Sequence, residues 1–121
     1  MTHRLLLLTI ALLGATVIRG TAADLVEIHL NGHYYAEPAT VQITVAVQPD
    51  QENRTLRVEA DGDSLFRSSE VTLNGSDEKR IHVVEFRNLP AGAYEVRAEV
   101  LSSTAVRGTA VQDVEVTGGP R

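Results

Sequence analysis

In this 121-residue chain, the histidines are the first residues whose type and spacing suggest a chemical function, namely metal binding. His29 and His33 are four residues apart, and His82 follows much later. Imidazoles hold zinc or copper in proteins when three or four ligands converge. Here His29 is predicted to point outward from a strand and His33 to follow a turn. We therefore expect surface or rim histidines, and no metal or other cofactor.

An acidic turn, Asp61-Gly62-Asp63-Ser64, is a second possible cation site, with Asp50, Glu52 and Asn53 in the preceding loop. Calcium takes six to eight oxygen ligands. The alternate-position acids of a dedicated calcium loop are missing, and aspartate and glycine are common in turns because they tolerate unusual dihedral angles. A polar β-turn is the favoured interpretation, and a weak calcium site at Asp61 and Asp63 stays open.

Nucleophilic chemistry has little support in the sequence. The hydroxyls of Ser68, Ser69, Ser102 and Ser103 have no base beside them in sequence, and no Gly-x-Ser-x-Gly turn occurs. The absence of cysteine removes thiol catalysis and disulfides together. The sequence therefore predicts no catalytic residues, and we expect that the chain is not an enzyme.

The first 23 residues have the layout of a secretory signal peptide. A basic start (1–4) precedes an apolar run (5–18), and small residues end at Ala22 and Ala23. The run is shorter than the roughly 20 residues that span a bilayer as a helix. Residues 1–23 are predicted to be removed, which makes the protein secreted or periplasmic without membrane insertion; an uncleaved N-terminal anchor is the alternative.

Charge excludes one class of partner. The first 23 residues contain two arginines and no acidic residue, so the remainder has 9 basic and 16 acidic residues and a formal charge of −7. A chain this acidic, without basic clusters, repels nucleic acid and anionic lipid. We expect no nucleic-acid binding.

From Asp24 onward, apolar residues alternate with polar ones, and valine and alanine dominate. Period-two alternation is typical of strands with one buried face. Seven segments show it or contain valine-rich runs: 26–30, 41–47, 56–60, 71–73, 81–86, 94–100 and 106–116. The pattern predicts an all-β domain over 24–117, a seven-stranded antiparallel two-sheet sandwich, followed by a flexible tail over 118–121. A small closed barrel is the alternative, and the inward face of 81–86 is ambiguous.

One stretch of the chain, residues 86–96, carries a resemblance to known domains. Leu89, Gly92, Tyr94 and Val96 match the Leu-x-x-Gly-x-Tyr-x-Val corner of immunoglobulin-like and fibronectin type III-like sandwiches. The resemblance implies that Tyr94 is buried along its ring and bonds nearby backbone through its hydroxyl, with Leu89 as an apolar plug and Gly92 in the tight turn. It implies no activity.

As a whole, the domain resembles short bacterial secreted proteins made of one such sandwich. It has neither tryptophan nor a cysteine pair, so it is not a disulfide-bonded immunoglobulin domain. The triplets beginning at Asn53 and Asn74 match the N-glycosylation pattern and lie in predicted turns, where they would be accessible in a eukaryotic secretory pathway. The bacterial resemblance favours chance occurrence.

An aromatic cluster, His33, Tyr34 and Tyr35, is predicted to lie in the loop between the first two strands. Loops on a rigid scaffold often bind partners, and tyrosine suits interfaces; the alternative is that one ring caps the core. We expect a non-catalytic module that mediates protein–protein interaction or envelope structure, through this loop or an edge strand. Carbohydrate binding is the alternative function, so the partner is a protein or a polysaccharide.

Overall fold

The computed structural model describes residues 25–119, and the predicted signal peptide and last two tail residues lie outside them. The prediction of an all-β fold with two sheets is confirmed. The described strands are β1 (Val26–Leu30), β2 (Tyr34–Ala36), β3 (Ala39–Val47), β4 (Thr55–Gly62), β5 (Phe66–Thr72), β6 (Ile81–Leu89), β7 (Gly92–Leu101) and β8 (Val106–Thr117). No helix within 25–119 is long and apolar enough to cross a membrane.

The strands form a three-stranded sheet in the order β1-β3-β6 and a five-stranded sheet in the order β2-β8-β7-β4-β5. The predicted count of seven strands is wrong, because the described chain contains eight. The wholly antiparallel arrangement is also wrong, since β2 pairs with β8 in parallel. Both errors have one cause: Tyr34–Ala36 is too short a segment to display a period-two pattern, and its pairing with the end of β8 is a long-range event.

The core lies between the two sheets and is built by the alternation that the sequence displays. In β3 the inward residues are buried valines and isoleucine, which belong to the same apolar cluster as the inward residues of β4 and β7. The most completely buried members are Ile43, Val45, Leu56, Val58, Ala98 and Val100. Each buried branched side chain contributes about 1.5–3 kcal/mol relative to an exposed one, so this shared cluster holds the sheets together without a disulfide.

The register of β6 against β3 settles which face of β6 is buried. His82, Val84 and Phe86 point into the core, whereas Ile81 and Val83 are 50% and 56% exposed. Apolar residues occupy both parities of this strand, so periodicity alone was not decisive. The strand ends in a bulge near Asn88, which has a φ of +59°.

Candidate functional site

Strand β2 presents its two tyrosines to opposite sides of the five-stranded sheet. The Tyr35 ring packs against the core, and its hydroxyl lies 2.6 Å from Asn31 Oδ1, to which it donates, and 3.0 Å from the Gly32 carbonyl oxygen. Tyr34 is 81% exposed. The alternation follows from strand geometry, in which successive side chains leave on opposite faces. Of the three residues predicted to form a loop, His33 precedes β2, whereas Tyr34 and Tyr35 lie on it, with Tyr34 exposed and Tyr35 partly buried against the core.

Backbone pairing holds β2 firmly against β8. Tyr34 pairs with Glu115, and Ala36 pairs with Thr117. The Glu115 N–H donates to the His33 carbonyl oxygen at 2.8 Å, and the Glu37 N–H donates to the Thr117 carbonyl oxygen at 2.9 Å. The exposed Tyr34 ring thus has a well-fixed backbone beneath it, which is the property that makes an aromatic residue effective in binding.

A surface pocket of about 450 Å³ lies beside Tyr34. It extends across the strands β2, β8, β7 and β4. Its lining residues are His33, Tyr34, Asp61, Ala93, Tyr94, Glu95, Asp113, Val114 and Glu115. The pocket therefore combines one exposed aromatic ring with several carboxylates.

The carboxylates of the pocket result from strand register. Asp61 on β4 pairs with Glu95 on β7, which in turn pairs with Asp113 on β8, so three acidic residues form one row across the sheet. Like charges directly opposite one another repel. Glu95 forms an ion pair with Arg97, two residues along the same face. His33 Nδ1 donates to the Asp113 carbonyl oxygen at 3.1 Å, which uses one of its ring nitrogens.

The other acidic residues of this sheet also face outward. Outward-facing acids at alternate positions of β4, β5, β7 and β8 are Glu59, Asp61, Glu70, Glu95, Glu99, Asp113 and Glu115. On the same face, Arg57 bridges Glu70 at 3.1 Å and Glu99 at 3.3 Å. These carboxylates raise the pKa of Arg57 above its ordinary value, chiefly through the hydrogen bond that Arg57 donates to Glu70. We call this surface the acidic face. It carries a net negative charge.

The three histidines considered as ligands are not brought together. His29 is exposed on β1, 3.7 Å from Glu27, whereas His33 lies against the other sheet. His82 is only 3% exposed, with Nε2 3.1 Å from the Lys79 carbonyl oxygen, so its placement on the surface or rim is wrong. Its parity on β6 directs it inward. No three histidine or acidic residues within 25–119 gather as a metal-binding group.

Asn53 and Asp61 lie in surroundings that differ from those predicted from the sequence. Asn53 is 1% exposed, and its side chain donates to the Gln48 carbonyl oxygen at 2.9 Å and accepts from Arg107 at 2.6 Å. The expectation that the Asn53 triplet lies in an accessible turn is therefore wrong, while Asn74 is exposed. Asp61 belongs to β4 and lines the pocket, and Asp63 lies in the turn that follows.

At the corner between β6 and β7, Tyr94 is 3% exposed and donates a 2.7 Å hydrogen bond to the Pro90 carbonyl oxygen. Leu89 is 1% exposed, and Gly92 has a φ of +154°, which favours glycine. The contact between Gly62 and the Tyr94 ring was not predicted from the sequence. A Cβ atom there would lie 2.6 Å from Tyr94 Cε2, so the ring requires glycine on the neighbouring strand. The sequence pattern predicted only that Gly62 lies in a turn.

No protein-family model and no curated protein matches the chain in sequence. Solved structures resemble its fold. Superoxide reductase (neelaredoxin) from Ignicoccus hospitalis superposes with a TM-score of 0.55 at 11% identity over 75% of this chain and 79% of that one. A single-residue variant of the same enzyme gives 0.59 at 12% identity, over 82% and 85%. A candidate superoxide reductase from Thermotoga maritima gives 0.54 at 13% identity, over 75% and 84%.

These neighbours correct the expectation that the chain is not an enzyme. That expectation was based on the absence of recognisable catalytic motifs in the sequence, whereas a similar fold is found in superoxide reductases, which are enzymes. Because one fold supports unrelated functions, the likeness at this level of identity establishes the architecture and leaves the activity to be argued from the site.

Proposed function

We propose that this chain is an exported, immunoglobulin-like domain that binds a protein partner through Tyr34 and the adjoining pocket. The observation that carries the proposal is the 81% exposure of Tyr34 on a backbone fixed by pairing with β8. Large aromatic residues exposed to water on a rigid scaffold are typical centres of protein interfaces, because their burial contributes strongly and their two torsions cost little to order.

The charge of the pocket points to a basic partner segment. The Tyr34 ring stands beside Glu115, its register partner, and the row of Asp61, Glu95 and Asp113 continues away from it. A lysine or arginine that enters the pocket meets carboxylates on several sides and an aromatic ring at one end, so salt bridges and a cation–π contact are both available. Association with such a partner is accelerated by the acidic face and weakened by salt.

The immunoglobulin-like assignment is supported by topology and by the corner. The first two strands of the domain belong to different sheets, β1 to the three-stranded sheet and β2 to the five-stranded sheet. Strand β2 runs parallel to the last strand, β8. The buried tyrosine at the β6–β7 corner bonds backbone four residues earlier, as a tyrosine corner does.

Export to the bacterial periplasm or medium is the cellular setting of this proposal. Expression of the full chain in a Gram-negative host is expected to yield a periplasmic or secreted protein whose intact mass corresponds to cleavage after Ala22 or Ala23. A protein that stays in the cytoplasm at full length contradicts this prediction, and one that stays in the inner membrane at full length indicates the uncleaved anchor.

Binding through Tyr34 is tested by crosslinking capture from the envelope fraction, identification of the captured protein, and affinity measurement with that protein purified. Tyr34→Ala is expected to weaken binding by about 2 kcal/mol, roughly 30-fold in Kd, because the central ring is lost. Val106→Ala removes an exposed apolar side chain at the opposite end of β8 and serves as the matched control, with no change expected.

The outcomes separate the proposal from its alternatives. Equal affinity of Tyr34→Ala and wild type excludes this surface, and failure to capture any saturable protein partner argues against the function. Carbohydrate binding is tested with the same protein on a glycan array. It is disfavoured because the two most exposed aromatic rings on the acidic face, Tyr34 and Phe66, are on opposite edge strands, roughly 19 Å apart across four strand spacings.

A further inference from the structure

Strand β6 leaves one side of its backbone without a strand partner. Among the described residues it pairs only with β3 and is therefore an edge of the three-stranded sheet. The Val47 N–H donates to the Arg80 carbonyl oxygen at 2.8 Å. In an antiparallel ladder, hydrogen-bonded pairs alternate with non-hydrogen-bonded ones. Even-numbered residues of β6 thus bond to β3, and Ile81, Val83 and Glu85 direct their N–H and C=O groups away from the sheet.

This open edge lacks several features that usually protect an edge strand. Residues 81–86 contain no proline and no bulge, since the register shift begins after Phe86. The outward side chains of Ile81 and Val83 are 50% and 56% exposed. At the far end, the Arg67 guanidinium donates to the Arg87 carbonyl oxygen at 2.8 Å and covers that part of the edge. An uncovered apolar edge of this kind is a template for another strand.

We propose that β6 pairs antiparallel with β6 of a second copy of this chain, about a two-fold axis through His82. In this register Ile81 lies opposite Val83 of the second copy, so the two exposed apolar side chains cover each other. Lys79 lies opposite Glu85 of the second copy, which places opposite charges together. A two-fold axis repeats both contacts, as an isologous interface requires.

The neighbouring registers that keep the edge groups hydrogen-bonded are less favourable. A shift of the axis to Val83 places the apolar Ile81 opposite the charged Glu85. It also places Lys79 opposite Arg87, so two cations face each other. A shift the other way places Lys79 opposite Val83, which sets a charge against an apolar side chain, and it leaves Glu85 without an extended residue opposite it, because Asp77 belongs to a 3₁₀ helix (Gly75–Asp77). Residues 79–85, which comprise the start of β6 and the two residues before it, are therefore self-complementary in one register, and this complementarity favours a second copy of the chain as the occupant.

The dimer is tested by sedimentation velocity over a concentration series, with protein purified from cells that express the full chain. Wild type is expected to sediment increasingly as a dimer. Glu85→Lys is expected to weaken dimerisation about tenfold or more, because it creates two like-charge pairs. Its own ion pair with Arg87 is exposed, so the loss costs the fold little. The double variant Lys79→Glu/Glu85→Lys restores opposite charges and is expected to restore the dimer.

Register is tested with single cysteines, which is straightforward because the chain has none. Residues in a hydrogen-bonded antiparallel pair have Cα atoms about 5.5 Å apart, within disulfide range. A mixture of Ile81→Cys and Val83→Cys proteins is expected to form a mixed disulfide, while each variant alone forms little. A wild-type monomer at all concentrations, no rescue by the charge swap, or no preference for the mixed disulfide each overturns the proposal.

This inference does not rest on the proposed function, because β6 and Tyr34 belong to different sheets. Tyr34→Ala is expected to dimerise as wild type does, and Glu85→Lys is expected to bind the protein partner normally at its pocket. A wild-type protein that dimerises but binds no protein partner contradicts the proposed function alone, and one that binds a partner as a monomer contradicts the dimer alone.

Discussion

Replacing Tyr94 with alanine will lower the free energy of unfolding by about 3–5 kcal/mol, in the range of large-to-small core substitutions of aromatic residues. The ring is 3% exposed, packs within the core cluster, and lies against the backbone of Gly62. Its removal leaves a cavity at the corner that joins the two sheets. Urea unfolding followed by far-ultraviolet circular dichroism measures the change, since the chain has no tryptophan for fluorescence.

The matched variant Tyr94→Phe keeps the ring and removes only the hydroxyl. It deletes the 2.7 Å hydrogen bond to the Pro90 carbonyl oxygen and is expected to cost about 1 kcal/mol. Together, the two variants separate ring packing from the polar contact. If Tyr94→Ala costs no more than Tyr94→Phe, the ring is not a packing element of this core.

Alkaline pH tests the buried hydroxyl independently. Burial raises the pKa of Tyr94 above its ordinary value, with a smaller contribution from Glu37 and an opposing one from Arg67. The hydroxyl binds its proton more tightly in the folded state than in the unfolded state, whose tyrosine pKa is about 10. The free energy of unfolding is therefore unaffected below that pH and decreases as the pH rises above it. Tyr94→Phe is expected to show a smaller loss above that pH, and an unchanged loss contradicts this assignment.

Gly62→Ala will destabilise the protein by about 1–3 kcal/mol, because overpacking a core contact forces side chains or backbone to move. The added Cβ would lie 2.6 Å from Tyr94 Cε2 and 2.7 Å from Tyr94 Cδ2, and the Leu65 carbonyl oxygen is 3.3 Å away. The Tyr94 ring is bounded by its own hydrogen bond to Pro90 and cannot withdraw freely. Thermal and urea unfolding both measure this cost.

A double-mutant cycle attributes the cost to the ring. In the Tyr94→Ala background, Gly62→Ala is expected to be nearly neutral, because the obstructing atoms are gone. Gly32→Ala is the matched control: the nearest atom to its added Cβ is the Tyr35 hydroxyl at 3.9 Å, an ordinary contact. An equal penalty for Gly62→Ala in both backgrounds would place the strain elsewhere than at Tyr94.

Local patterning predicted the two-sheet, all-β architecture, because alternation in β3, β4 and β7 is regular over eight to ten residues. A strand of that length with one buried face leaves a period-two record in the sequence. The candidate site was predicted only in part. The sequence indicated that His33, Tyr34 and Tyr35 were candidates for binding, without separating the exposed Tyr34 ring from the partly buried Tyr35 ring.

Tertiary structure alone decided the features that depend on long-range pairing. Strand β2 forms because Tyr34–Ala36 pairs with the end of β8, about eighty residues later in the chain. The row of Asp61, Glu95 and Asp113 exists because three strands meet in one register. Neither contact leaves a local pattern in the chain.

Composition, alternation and the corner motif are local properties, and the sequence by itself determined that this protein is all-β and where most of its strands run. Which face of β6 is buried, why Gly62 is glycine and which polar side chains share the pocket were decided by the packing of the two sheets. Strand register is a property of pairs of distant segments, and a slip of one residue exchanges the buried and exposed faces. The site was therefore assembled by the fold and could not be identified within any single stretch of sequence.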